Sequence, residues 1–341
     1  MKNTLKLYII LCFLFIAISV FISYDYKSSP DYFSYLNWYE VSTSYVKDGN
    51  SWVIAKDPAF YILSNLFDSI GLELQGVLLT LVLISLLTKS FALNKLLNNN
   101  AIFFVLLLYL ARLFITHDLI QYRAGASVGL AFLAIVLYLD NSKIKSIIAL
   151  ILACLVHLSA MLVLIAIPIN FYLKKRKRRD LFRLILIIFL FLVCTVIVNP
   201  YAVVIEMLMK ISFFQARVAP YINGTYQTVE TSILNSYVLI KILSYVIFTV
   251  WVYKNRGREL VGQYYNLYFF FFSSLFGLTL YWFFRSNDSL AIRFSDFFSI
   301  FDLVFIVQLL YVFKPFGRLI YSGLLAIYVV VFLTSSLKLI A

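Results

Sequence analysis

The stretch from Ile144 to Arg183 constrains the fold more than any other part of the chain. It reads IKSIIALILACLVHLSAMLVLIAIPINFYLKKRKRRDLFR, a long apolar run with His157 at its middle. It ends in seven Lys/Arg and one Asp between Lys174 and Arg183, and it begins beside Lys143 and Lys145. Short loops rich in Lys and Arg stay on the cytoplasmic side of a membrane. Both ends of the run are therefore expected in the cytoplasm, so the segment must enter the bilayer and return. At about 1.5 Å of rise per residue each arm reaches only about 20 Å, whereas a full span needs about 30 Å. The pattern predicts two short or re-entrant helices over 145–173, with His157 near their turn, deep in the membrane or close to its outer face. An ionisable residue placed there is a candidate functional group by default.

Composition extends this reading to the whole chain. Of 341 residues, 63% are hydrophobic and 13% charged, which excludes a soluble globular domain. The expectation is an all-α polytopic membrane protein forming a single transmembrane domain over 1–341, with about ten spans plus the short hairpin. Candidate spans are 6–24, 76–97, 101–117, 121–139, 182–200, 235–253, 264–284, 295–313 and 318–338, together with the hairpin 145–173. Leu7 to Ser23 follows Lys2 and Lys6 and is followed by Tyr24-Asp25-Tyr26 rather than a small-residue cleavage site. It is read as a retained first helix entering from the cytoplasm. Residues 25–75 then form a first periplasmic loop, carrying seven acids against Lys27, Lys47 and Lys56. A turn at His117 and Asp118 and a second periplasmic loop over 200–234 also fall outside, while Lys254, Arg256, Arg258, Lys314 and Arg318 fall inside.

The net charge of +13 fits cytoplasmic flanks that touch anionic head groups, and does not suggest nucleic acid. Cys12, Cys154 and Cys194 all lie in apolar spans, so disulfides are not expected. The two histidines, His117 and His157, sit on different segments, and no metal-ligand cluster or Gly-rich phosphate loop is present. No metal or cofactor is expected.

Arginine supplies the clearest chemical signal. Arg123 in QYRAG, Arg285 in WFFRSND and Arg293 in AIRFSDFF fall at the expected outer ends of spans, and Arg112 lies inside an apolar stretch. Positive charge there opposes the topology bias and is costly near hydrocarbon. Arg matches phosphate bidentately, so the set points to an anionic ligand such as a diphosphate. The bland alternative is pairing with Asp118, Asp288 or Asp296, or snorkelling to head groups. Asp31 and Asp57 are extracytoplasmic carboxylates that could take a proton from a sugar hydroxyl. Asp57-Pro58 equally suits a helix start. His157 could act as acid or base near neutral pH, or merely cap a turn. Gly125 and Gly129 have the spacing of a close helix contact. The aromatic residues of 25–75, among them Tyr32, Tyr35, Trp38 and Phe60, suit an interfacial belt or a surface on which sugars stack.

In order along the chain, Asp31-Tyr32, Asp57-Pro58-Ala59-Phe60, Arg123, His157 with Ser159-Ala160, and Arg293-Phe294 resemble the pattern of the EpsG-type and Wzy-type bacterial polysaccharide polymerases. Asp57 stands where the EpsG type usually has Glu, which keeps a carboxylate with shorter reach. The resemblance covers most of the chain. It implies a GT-C-like membrane glycosyltransferase of the bacterial inner membrane, with its active site facing the periplasm. Such an enzyme joins oligosaccharide repeat units carried on undecaprenyl diphosphate, which serves as both donor and acceptor, and no obligatory metal is implied. An accessory chain-length regulator is a further partner class compatible with it. Under this reading Arg123 and Arg293 hold the donor diphosphate with Arg285 and Arg217 assisting, His157 orients or deprotonates, and Asp57, Asp31 or Glu40 is a candidate base. The rivals are a flippase for the same lipid-linked oligosaccharide and a membrane acyltransferase. A flippase would be expected to show internal repeats and a cavity reached from both sides, and an acyltransferase more polar residues on the inner face.

Overall fold

Helices form along the apolar runs, and three of them start at asparagine caps. The computed structural model describes residues 2–47, 57–174, 178–198, 201–210, 231–255 and 262–339. In chain order the helices are α1 (Lys2–Ser23), α2 (Tyr32–Lys47), α3 (Pro58–Ser69), α4 (Glu73–Leu96), α5 (Asn99–Leu113), α6 (Tyr122–Leu139), α7 (Lys143–Val156), α8 (Ala166–Lys174), α9 (Arg178–Val198), α10 (Tyr201–Met209), α11 (Ser236–Lys254), α12 (Gly262–Phe283), α13 (Asp288–Asp296), α14 (Ser299–Gln308) and α15 (Pro315–Leu337). A π-helical segment, Phe114–Ile120, joins α5 to α6, and a 3-10 segment, Leu158–Ile165, joins α7 to α8. No strand occurs among the described residues.

Local chemistry explains the boundaries. The side chains of Asn98, Asn235 and Asn287 each accept a backbone N–H three residues on, satisfying donors that a helix start leaves open. Gly71 and Asn141 occupy the left-handed region at φ 74° and 60°. In both, the following N–H bonds back across six residues, Leu72 to Phe67 at 3.0 Å and Ser142 to Leu137 at 2.9 Å, which closes α3 and α6 with the same terminal motif.

Eight helices among the described residues are long and apolar enough to cross a membrane. Two further apolar stretches, Leu158–Lys174 and Ser299–Val312, are shorter. They fall in the segments read from sequence as the hairpin and as the span 295–313. The first is divided by the break after Val156, where His157 leaves helical geometry at φ −157° and ψ 116°. The second is divided between Asp296 and Ser299, whose hydroxyl donates to the Asp296 carbonyl at 2.6 Å. Residues 25–75, read as a loop, hold α2 and α3. Tyr39 of α2 donates to Asp68 of α3 at 3.0 Å. Burial, reinforced by that carboxylate, pushes the Tyr39 phenol up to about 12, so it stays a donor at any physiological pH.

The chain divides into two compact units, Met1–Val163 with Pro315–Ala341, and Leu164–Lys314. In the first, α6 lies between α4 and α7. Close approach is bought by small residues. A Cβ at Gly129 would fall 2.4 Å from Thr88 Oγ1 of α4, and one at Gly125 would fall 2.2 Å from the His117 carbonyl oxygen. Ser127 and Ser146 bond across the α6–α7 seam to Ala153 O at 2.9 Å and Ala134 O at 2.7 Å. One end of this unit is basic: Lys6 donates to Asn94 O at 2.8 Å, Lys95 pairs with Asp140 at 2.5 Å, and Lys143 and Lys145 open α7. The Lys95 hydrogen bond holds the Asp140 carboxyl below its ordinary range. α6 runs about 27 Å from that end to its start at Tyr122.

The expected outer turn at His117 and Asp118 is not a loop. Both residues are fully buried on the π-helical segment, whose wide turn closes with Gln121 N donating to Thr116 O at 2.8 Å. The polar pair is there because Asp118 meets Lys89 of α4. Lys89 Nζ lies 3.6 Å from the Asp118 carboxylate and donates to Ser85 Oγ and Tyr109 Oη, each at 2.6 Å, while the Tyr109 hydroxyl donates to Asp118. The second unit contains the same three residue types: Lys241 of α11 pairs with Asp302 of α14 at 2.7 Å, and the Tyr237 hydroxyl donates to Asp302. Around them α12 packs on α13 and α14 through Phe269, Phe270, Phe298 and Phe301.

Breaking a buried pair on one side leaves an uncompensated charge, at a cost of about 3–5 kcal/mol, whereas replacing both partners by apolar groups is often tolerated. Asp118→Leu should therefore lower the thermal unfolding midpoint of the detergent-solubilised protein sharply, and Lys89→Met/Asp118→Leu should recover much of the loss. Gly125→Ala must push α6 off a backbone carbonyl and should destabilise by about 1–3 kcal/mol. Gly323→Ala, with open space around its Cβ, should be neutral in the same assay.

Candidate active site

Three of the residues singled out from sequence meet at the end of the first unit opposite its basic end. Asp57 precedes α3, and Pro58 at the first helical position pre-sets the backbone there. The Asp57 carbonyl accepts Phe60 N at 3.1 Å, so the backbone begins the helix as expected. Its carboxylate makes no capping bond. It turns instead to Arg123, whose Nη1 donates to Oδ2, while Oδ1 lies 3.7 Å from Nδ1 of His157. The Arg123 and Asp57 side chains are only 11% and 6% exposed, so this ion pair is largely withdrawn from solvent.

Each partner is placed by a different element. Arg123 is the second residue of α6, and its backbone N–H donates to Tyr35 Oη at 3.2 Å. Its guanidinium lies over the Trp38 ring, 3.3 Å from the centroid, with the Tyr35 and Phe60 rings each at 5.6 Å. Tyr35, Trp38, Phe60 and Tyr122 pack mainly edge to face with one another. Tyr35, Trp38 and Phe60, expected as part of an interfacial belt or sugar platform, lie against the arginine. His157 ends α7, and its carbonyl accepts Ser127 Oγ of α6 at 3.3 Å. The histidine thus arrives about one turn inward of Arg123. Asp31 lies just before α2, and its carbonyl accepts Tyr35 N at 3.1 Å. Burial chiefly raises the Tyr35 phenol, with Arg123 opposing and the Asp31 charge adding. Asp31 therefore sits at the rim of the aromatic cluster.

The remaining arginines are elsewhere. Arg112 donates to Tyr328 Oη at 3.4 Å and faces the Phe332 ring of α15, a packing role within the first unit. Arg285 and Arg293 belong to the second unit. Phe284 and Phe294 beside them are in edge contact at 4.9 Å, so both arginines mark one corner of that unit. The Arg285 carbonyl accepts Thr231 N at 2.8 Å. Arg217 lies outside the described residues. Asp118, considered as a partner for an arginine, is taken by Lys89. Among the described residues, no group of three His, Cys, Asp or Glu side chains is arranged to hold a metal ion.

The sequence reading missed the aromatic enclosure of Arg123 and both buried Lys–Asp–Tyr clusters. The clusters had a signal, since Lys89 and Lys241 interrupt apolar helices. The enclosure had none, because Trp38 and Arg123 are joined only by tertiary packing.

What the site can do follows from these groups. A guanidinium with a carboxylate and an imidazole at hand can stabilise an anionic leaving group and move a proton in one place. A family model described as the EpsG family matches residues 8–340. No curated protein and no solved structure matches the chain. The match runs from within α1 to beyond α15 and includes Asp57, Arg123 and His157, and the chain accordingly belongs to the EpsG family.

Proposed function

We propose that this protein polymerises oligosaccharide repeat units carried on undecaprenyl diphosphate, at the periplasmic face of the bacterial inner membrane, into O-antigen or a related surface polysaccharide. Membership of the EpsG family supports a polysaccharide polymerase-like membrane protein. The observation that carries the finer reading is the meeting of Asp57, Arg123 and His157 in one largely buried cluster. Its position supports the outward orientation. Lys6, Lys95, Lys143 and Lys145 gather at the other end of the same unit, and positive charge favours the cytoplasm.

The chemistry is a glycosyl transfer. A hydroxyl oxygen of the acceptor repeat unit attacks the anomeric carbon of the donor. The bond from that carbon to the lipid diphosphate breaks, and the electron pair leaves with the diphosphate. Arg123 stabilises that charge; Arg293, Arg285 and Arg217 are candidates for the same role from the family resemblance alone. The hydroxyl proton passes to Asp57 or His157, with Asp31 as the outlying carboxylate. A base must come within hydrogen-bond reach of the proton, and the 3.7 Å spacing of Asp57 and His157 lets either group serve one acceptor position. A GT-C-like architecture accompanies this reading. The eight long apolar helices with the two shorter ones, Leu158–Lys174 and Ser299–Val312, would give ten membrane segments. The donor and acceptor tails reach the site through the bilayer, and a chain-length regulator is compatible with the product.

Cells carrying Arg123→Ala or Arg293→Ala should keep single repeat units on the lipid carrier and lose long chains on a polysaccharide gel, at normal protein levels by immunoblot. Arg123→Lys keeps a partner for Asp57 and should show the same defect if the planar fork is what binds the diphosphate. Normal long chains from both Ala variants would remove these arginines from the mechanism. Deletion of the gene distinguishes the classes: a polymerase mutant keeps one capped repeat, a flippase mutant loses surface sugar, and an acyltransferase mutant keeps full-length chains.

Asp57→Asn and His157→Gln separate the two candidate bases. The true base should lose transfer at least about a hundredfold, measured as polymer formed by purified protein from a lipid-linked repeat unit. The other variant should lose less. Equal activity of both variants with the wild type would exclude this pair from proton transfer.

A further inference from the structure

We propose that Trp38 is a positioning residue of the anion site, its indole holding the Arg123 guanidinium in one plane so that the edge not engaged by Asp57 faces a diphosphate oxygen. The inference rests on the reading of Arg123 as the diphosphate ligand.

A guanidinium carries five N–H donors, all in its own plane. Stacking on an aromatic ring occupies the face of that plane and leaves the edge directions open. The Arg123 guanidinium carbon lies 3.3 Å from the Trp38 ring centroid, closer than to the rings of Tyr35 and Phe60. Asp57 takes a donor on Nη1. Nε is buried and has no hydrogen-bond partner among the described residues. The group is therefore fixed on its face and held at one corner, and its buried Nε–H is left without a hydrogen-bond acceptor among the described residues.

The rest of the residue is fixed as well. Tyr35 Oη accepts the Arg123 backbone N–H at 3.2 Å, so α2 grips Arg123 at both ends, the main chain through Tyr35 and the charged head through Trp38. α2 is in turn joined to α3, which carries Asp57 at its start, by Tyr39–Asp68 at 3.0 Å and by Asn65 Nδ2 to Ser42 O at 3.3 Å. An arginine side chain without such a clamp keeps much rotamer freedom, and ordering it on binding weakens the complex. The clamp removes that cost before the anion arrives.

The test uses the full chain purified in detergent, with inorganic pyrophosphate as the probe and isothermal titration calorimetry as the measurement. Trp38→Leu should weaken pyrophosphate binding about tenfold. Trp38→Phe keeps an aromatic face and should stay within about threefold. In an Arg123→Gln background Trp38→Leu should cause no further loss, because its effect passes through the guanidinium. The tryptophan fluorescence assigned to Trp38, taken as the difference from Trp38→Phe, should shift on pyrophosphate addition. Melting temperature controls for folding. If Trp38→Leu lowers it, Trp38→Met keeps the bulk, lacks the aromatic face, and should show the same loss of binding. Wild-type binding by Trp38→Leu or Trp38→Met, or a loss additive with Arg123→Gln, overturns the positioning role while leaving Arg123 as ligand. No binding by the wild type, or undiminished binding by Arg123→Gln, overturns the diphosphate reading and the positioning role with it.

Discussion

A carboxylate pressed against a guanidinium, under aromatic cover and away from water, is the interaction on which one end of the first unit is organised. Neither charge could be buried there alone at acceptable cost. Asp57 comes from the start of α3, Arg123 from the start of α6, and the indole above them from α2. Three helix positions distant in sequence are thus tied to one point. His157 approaches the same point from α7, because Ser127 ties the end of that helix to α6. The pair is both an anchor of the fold and the chemically most capable group in the unit.

The deeper charges obey the same constraint in another way. Lys89 with Asp118 and Lys241 with Asp302 each recruit a tyrosine hydroxyl, so a carboxylate in an apolar setting has a cation beside it and a hydroxyl donating to it. In the first unit this cluster also holds the π-helical segment, whose carbonyl at His117 leaves room only for a glycine at position 125. A wide turn of this kind often accompanies a functional site, and here it ends three residues before Arg123.

Much of this was legible in the sequence, for identifiable reasons. The break at His157 follows from an apolar run too long for one helix and too short for two full spans. The start of α3 follows from Asp57-Pro58, and the small-residue contact from Gly125 and Gly129. What failed did so where tertiary contacts overrule a local rule. An aspartate before a proline looks like a helix cap, yet its side chain has a stronger partner sixty-six residues later in Arg123. His117-Asp118 looks like an exposed turn, because polarity marks loops only when no buried cation is waiting. Trp38 looks like a membrane-interface residue, since nothing local reveals the arginine beneath it. Arg112, an arginine in an apolar stretch like the others, is held by Tyr328 and Phe332 instead.

The two lysine–aspartate clusters also bear on how the chain is made. Lys89 emerges from the ribosome 29 residues ahead of Asp118, so its partner arrives with the next helix. Lys241 precedes Asp302 by 61 residues, with the whole of α12 between them. A lysine reaching the bilayer before its counter-ion must either enter uncharged or wait at the interface. Of the two clusters, that of the second unit therefore imposes the longer delay on the helix that carries its lysine.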